Sequence, residues 1–281
     1  MRLLVAIDGK QGGEDAAQLA RVLSANADDP HLRLVTILFT GALPMQYALL
    51  PEGEASKLGE MAEHARERVA GLPVESLVYS GGSPAAILTE VAEQDEFDVI
   101  VVGSPHRGAI GRVLIGSTAT SLLNGAPADV AVAPKGYAET THEPFRRIAV
   151  GYDGSPEADA ALRRAETLAE AAQAQLQVVT VVSPPVATAP MASGVYAPQF
   201  PPDPEEVIAK GVDSVEPRLG VEGVRLDGDP AMELIRHCEE NVDLLVLGSR
   251  GYGPIARVLL GSVSRRVAAD APCPLLVVPR P

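Results

Sequence analysis

Gly248, Gly251, Gly261 and Ser262 stand at the spacing G-x2-G-x9-G-S, directly after the apolar run Leu244–Leu247. That spacing suits a phosphate. A glycine lets main chain approach a ligand with no Cβ in the way. Gly261-Ser262 opens a helix, and a helix N-terminus offers unpaired N–H groups and a partial positive charge. The hydroxyls of Ser262 and Ser264 add donors. A single glycine pair would mean no more than a tight turn. Three glycines and a serine at this spacing favour an anion site.

Two other patterns are set aside. Residues 251–256 read G-x-G-x-x-A, but they follow the fourth strand signal of their half, not the first, which weakens a dinucleotide fingerprint. No G-x4-G-K-[ST] occurs, so the chain is not a P-loop NTPase. Asp8 and Asp153 each close a first apolar run. A carboxylate there can accept a hydrogen bond from an adenine amino group or a ribose hydroxyl. Equally it can cap the next helix, and position alone does not separate the two. Catalysis has little support. His31, His64, His106, His142 and His237 are scattered, and no Cys/His cluster has metal-ligand spacing. Glu157, Glu166 and Glu170 are expected on a solvated helix face.

The elements that position these residues come in two copies, at an offset of 145 residues. Leu4-Val5-Ala6-Ile7-Asp8-Gly9 returns as Ala149-Val150-Gly151-Tyr152-Asp153-Gly154, and Arg112-Val113-Leu114-Ile115-Gly116-Ser117 as Arg257-Val258-Leu259-Leu260-Gly261-Ser262. Copy 1 has apolar runs at Leu3–Ile7, Leu32–Phe39, Val74–Tyr79, Val99–Val102 and Val130–Ala133. Copy 2 has them at Ile148–Tyr152, Leu176–Val182, Val224–Leu226, Leu244–Leu247 and Leu275–Val278. Unalternated Val, Ile and Leu suit strands buried on both faces. Helices are expected between them, including Glu14–Ala25 and Glu157–Ala174, with Ser83-Pro84, Ser155-Pro156 and Asp229-Pro230 as capped starts. Alternating β and α implies a mainly parallel sheet covered by helices. The boundary is expected near Gly136–Pro144, giving domains 1–138 and 145–281. Pro184–Pro204, with seven prolines, reads as a long loop inside copy 2, and Thr40–Gly53 as its looser equivalent.

Bulk composition is that of two ordinary globular units: 281 residues, 46% hydrophobic and 21% charged. The net charge of -14 repels phosphate backbones and anionic membranes, and aromatics are only 4%. Nucleic acid and membrane are therefore not expected as partners. Cys238 and Cys273 make no disulfide framework. The N-terminus lacks the features of a signal peptide, so a cytoplasmic location is expected.

The first-strand V-x-x-D-G-S-P of Val150 to Pro156, the strand ending Thr180-Val181-Val182, the G-x2-G-x9-G-S loop and the closing A-P-C-P-L-L-V-V-P resemble the universal stress protein family. The resemblance spans both copies. It implies an α/β fold of two tandem Rossmann-like (adenine nucleotide alpha hydrolase-like) domains, each a five-stranded parallel sheet with helices on both faces. It also implies ATP, with Asp153, Gly151 and Val181 on the adenine side. Gly248, Arg250, Gly251, Gly261, Ser262, Val263 and Ser264 are then expected around ribose and phosphates. Mg²⁺ can accompany ATP through phosphate oxygens and water. In copy 1 the matching positions are Asp8, Ile37, Gly103, Gly116, Ser117 and Thr118. There Pro105 precedes His106 at the second glycine position, so weaker binding is expected. The resemblance implies a nucleotide-dependent stress-response module. A slow ATPase and an interaction protein with vestigial sites are the alternatives. Pairing of Val130–Ala133 with Leu275–Val278 would give a pseudo-two-fold unit, which can dimerise again.

Overall fold

The computed structural model describes residues 1–8, 10–27, 29–38, 60, 63–80, 82–105, 109–140, 144–183, 203–249 and 260–279. The expected loop at Thr40–Gly53 and most of Pro184–Pro204 lie outside the described residues.

Every apolar run forms a strand. The first half holds β1 (Arg2–Ile7), β2 (His31–Leu38), β3 (Val74–Ser80), β4 (Val99–Gly103) and β5 (Asp129–Ala133). The second holds β6 (Arg147–Gly151), β7 (Gln175–Val182), β8 (Val221–Asp227), β9 (Leu244–Gly248) and β10 (Leu275–Val278). Around them lie α1 (Gln11–Ser24), α2 (Pro84–Gln94), α3 (Ser117–Leu122), α4 (Pro156–Ala172), α5 (Pro204–Asp213), α6 (Pro230–Asn241) and α7 (Ser262–Ala268). A 3-10 turn at Tyr137–Glu139 follows β5.

The helix starts follow local chemistry, with two corrections. Ser155 Oγ accepts from Ala158 N at 3.2 Å, and Asp229 Oδ1 accepts from Met232 N at 3.1 Å. Ser83, expected to cap α2, makes no side-chain cap bond; Pro84 fixes the first turn instead. Helix α1 begins at Gln11, three residues before the expected Glu14. The glycines at 12 and 13 hide this start in the sequence. Asp8 Oδ1 secures it by accepting from Gly13 N at 2.8 Å and Lys10 N at 3.0 Å.

The strands form one sheet in the order β3-β2-β1-β4-β5-β10-β9-β6-β7-β8. Within each half every neighbouring pair is parallel. The halves meet at β5 and β10, which run antiparallel and pair Leu275 with Val132, Leu276 with Ala131 and Val277 with Val130. Under the sequence repeat, Val130 corresponds to Leu275 and Val132 to Val277. The ladder therefore maps onto itself when the halves are exchanged, as a two-fold contact must.

Each face of the sheet carries a core that crosses the junction. On one face α1 and α4 cover Leu3, Val5, Val101, Ile148, Val150 and Leu276. On the other, residues of α2, α3, α6 and α7 cover Leu4, Ile100, Val130, Leu245 and Val277. Buried Asp129 of β5 is ion-paired with Arg164 of α4, across the halves. Burial pushes the Asp129 carboxyl up to about 6, outweighing the pull of Arg164. Buried Asp15 of α1 accepts from Gly136 N at 2.9 Å and Ala138 N at 2.8 Å, tying α1 to the 3-10 turn. No described helix is long and apolar enough to cross a membrane.

Candidate nucleotide site

In each half the strand order reverses between the first and fourth strands, at β1/β4 and β6/β9. Helices leave such a switch point on opposite faces and open a crevice beyond the carboxyl ends of the strands. In the second half the crevice is a cavity of about 620 Å³. A volume of that order suits a small-molecule ligand.

Three walls come from different parts of the chain. Strand β6 runs out into Gly151, Tyr152 and Asp153; β7 supplies Val179, Thr180 and Val181. The third wall is Gly248 and Ser249 after β9, with Gly261, Val263 and Ser264 at the start of α7. Leu234 of α6 and Leu247 of β9 make the floor apolar. Gly151, Asp153, Val181, Gly248, Gly261, Val263 and Ser264, all singled out from sequence, thus line one cavity. Ser262 is exposed at the first position of α7 and is not part of the wall. Arg250 and Gly251 lie outside the described residues.

Hydrogen bonds set the shape of the wall formed by β6 and β7. Tyr152 N donates to Val179 O at 2.8 Å, and Thr180 Oγ1 donates to Tyr152 O at 2.8 Å. Tyr152 Oη donates to Asp159 Oδ1 at 2.5 Å, and Lys210 Nζ reaches Asp159 Oδ2 at 3.1 Å and Gly154 O at 3.1 Å. Burial and the neighbouring Asp159 raise the Tyr152 hydroxyl above its ordinary pKa. Burial alone would raise Asp159 too, but the bonds from Tyr152 and Lys210 hold it below the ordinary carboxylate value. The turn that presents Asp153 is therefore braced from below.

The two aspartates settle differently. Asp8 Oδ1 is engaged by the first turn of α1. At Asp153 the capping is done by Ser155, whose N–H donates to Asp153 Oδ1 at 3.1 Å and whose Oγ also bonds that oxygen. Among the described residues nothing donates to Asp153 Oδ2, and the side chain is exposed at the cavity rim.

The loop glycines also divide. A Cβ on Gly248 would lie 2.5 Å from Glu157 O, and one on Gly103 1.9 Å from Gly12 O. Protein main chain, not ligand, takes that space, so these glycines let α4 and α1 pack on the strand ends. That corrects the reason expected for Gly248. Gly261, by contrast, stands at the N-cap of α7 with no side chain to satisfy the first-turn N–H groups, which leaves them as donors. Ser264 Oγ donates to Gly248 O at 3.3 Å and so ties α7 to β9, a structural bond in place of the expected free donor. Glu157, expected on a solvated face, lines the cavity.

In the first half Gly103, Gly116, Ser117 and Thr118 sit at the corresponding strand end and helix start, with Ile37 in β2. The ring of Pro105 lies 3.6 Å from where a Gly116 Cβ would stand, so proline packs against this helix start. His106 lies outside the described residues.

Comparison with known proteins fixes the family. The universal stress protein family model matches residues 1–134 and 144–279. This chain belongs to the universal stress protein family. A universal stress protein of Mycolicibacterium smegmatis is 28% identical, over 98% of this chain and 96% of the relative. One from Mycobacterium tuberculosis is 28% identical, over 83% of this chain and 82% of the relative. Among solved structures, a universal stress protein from Archaeoglobus fulgidus aligns with TM-score 0.68 at 20% identity, covering 99% of this chain and 96% of that one. That likeness is one of fold.

Several residues of this universal stress protein's cavity were not singled out from sequence: Tyr152, Thr180, Ser249 and Leu234. Tyr152 and Ser249 directly follow strand ends, and adjacency to Gly151 and Gly248 was the available signal. Leu234 lies one helical turn into α6 from Pro230, and only the tertiary packing brings it to the site.

Proposed function

We propose that the second half of the chain binds an adenine nucleotide, ATP, and that the protein acts as a nucleotide-dependent module of the stress response in the cytoplasm. The observation that carries this reading is the single cavity joining Asp153, the β7 wall and the Gly261-led start of α7. A flat purine suits the apolar slot between Val179, Val181, Leu234 and Leu247. Asp153 Oδ2, at the cavity rim, can accept from an exocyclic amine or a ribose hydroxyl. Phosphates suit the N–H groups of Val263 and Ser264, where helix geometry favours negative charge. The main-chain N–H donors fit phosphate, and the lining carboxylates Asp153 and Glu157 do not, so Mg²⁺ would arrive on phosphate oxygens and water. The first half, with Asp8 engaged by α1 and Pro105 against Gly116, binds more weakly.

The test is the nucleotide released when purified protein is denatured, resolved by ion-exchange chromatography. ATP near one per chain is expected. ADP or AMP in its place would favour a slow ATPase. No nucleotide, together with no uptake of added ATP, would leave an interaction protein with vestigial sites.

A further inference from the structure

Ser104 and Ser249 are counterparts in the repeat, each following the glycine that ends the fourth strand of its half. Their main chains do the same work. Ser104 N donates to Ala133 O at 3.1 Å, and Ser249 N donates to Val278 O at 2.9 Å. Their hydroxyls differ. Ser104 Oγ donates to Ala133 O at 2.8 Å and accepts from Leu114 N at 3.0 Å, so it is satisfied within the protein. Ser249 Oγ is buried, with the residue 0% exposed, and has no hydrogen-bond partner among the described residues. It lies in the wall of the nucleotide cavity, between Gly248 and the Gly261–Ser264 turn.

A buried hydroxyl without a partner is destabilising, and such groups are rare in native proteins. Where one lines a cavity built for a polar ligand, the ligand is the natural partner. We infer that Ser249 is a ligand-binding residue, whose hydroxyl hydrogen-bonds the ribose-phosphate part of the bound nucleotide and so selects nucleotide over free base. This inference rests on the nucleotide reading of the same cavity. The placement argues for ribose-phosphate because Ser249 follows β9 beside Gly248 and the start of α7, whereas the β7 residues lie on the far side of β6. The first half lacks this ligand bond because Ser104 is already engaged.

The test compares Ser249→Ala with Ser104→Ala in the full chain, by calorimetric titration with ATP, AMP and adenine and by thermal melting of the nucleotide-free proteins. For Ser249→Ala the affinity for both ATP and AMP is expected to fall by about ten- to a hundredfold, the loss of one hydrogen bond to a charged or polar group. Adenine binding is expected to be unchanged. The nucleotide-free Ser249→Ala protein is expected to melt no lower than wild type, whereas Ser104→Ala, which loses two internal bonds, melts lower. ATP affinity unchanged in Ser249→Ala overturns the inference. So does a nucleotide-free Ser249→Ala that melts as low as Ser104→Ala, since the hydroxyl would then be bonded inside the protein. A wild-type chain that binds none of the three ligands overturns the nucleotide reading itself. Loss of adenine along with ATP and AMP places the bond on the base and overturns the ribose-phosphate assignment.

Discussion

Ala131 of β5 pairs with Leu276 of β10 across the junction of the two halves, and each residue is the other's counterpart in the sequence repeat. The pseudo-two-fold axis passes through this pair. Both residues are fully buried, in one core that runs across the junction of the two halves. The halves are thereby one ten-stranded sheet with a reversal of strand order in each half.

A charge at that centre should be disproportionate in effect. Ala131→Asp buries a carboxylate with no partner, which costs about 3–5 kcal/mol or more. Leu276→Ala leaves a cavity and costs about 2–5 kcal/mol. Urea unfolding monitored by circular dichroism measures both. Wild-type stability in Ala131→Asp would mean that the junction opens in solution.

Asp129 makes the stability pH-dependent. Its carboxyl titrates near 6 in the fold against 3.8 when free, so the folded chain holds the proton more tightly. Between about pH 4 and 6 the unfolded chain loses that proton first, and stability falls as pH rises, by at most about 3 kcal/mol. Above pH 6 the contribution is flat. Asp129→Asn removes the dependence. Denaturation curves of the two proteins from pH 4 to 7 should therefore show wild type losing stability relative to the variant as pH rises. Parallel curves would contradict the assignment.

Much of this fold was legible in the sequence, because β4, β5, β9 and β10 are almost entirely Val, Ile, Leu and Ala and become strands buried on both faces. The apolar pattern marks only Val224–Leu226 of strand β8. Its true span, Val221–Asp227, includes Glu222, Arg225 and Asp227, which an edge strand tolerates in solvent. The start of α1 was hidden by its two glycines, which depress helix propensity until Asp8 supplies a partner. The difference between Ser104 and Ser249 could not be read at all, since identical residues in matching motifs acquire different partners only in three dimensions.

Glycine replacements should separate packing from ligand. Gly248→Ala puts a Cβ 2.5 Å from Glu157 O, closer than contact allows, and overpacking of this kind costs about 1–3 kcal/mol. Gly116→Ala meets only Pro105 at 3.6 Å, an ordinary contact, and costs under about 1 kcal/mol. Melting temperatures of the nucleotide-free variants decide it. Equal effects would mean that the approach of α4 to β9 is not tight.

The aspartates should part stability from binding. Asp8→Ala removes the acceptor for Gly13 N and costs about 1 kcal/mol of stability. Asp153→Ala leaves the bond from Ala158 N to Ser155 Oγ in place, so its stability loss is smaller. Chemical denaturation of the nucleotide-free variants measures both, and a larger loss in Asp153→Ala would reverse the assignment.

The most direct test of the nucleotide site is calorimetric titration of ATP into nucleotide-free wild type, Asp8→Ala and Asp153→Ala. The tight site should have a stoichiometry near one per chain, survive in Asp8→Ala and weaken at least about tenfold in Asp153→Ala, the loss of a hydrogen bond to a charged group. Tight binding that survives Asp153→Ala and is lost in Asp8→Ala would place the nucleotide in the first half and contradict the account.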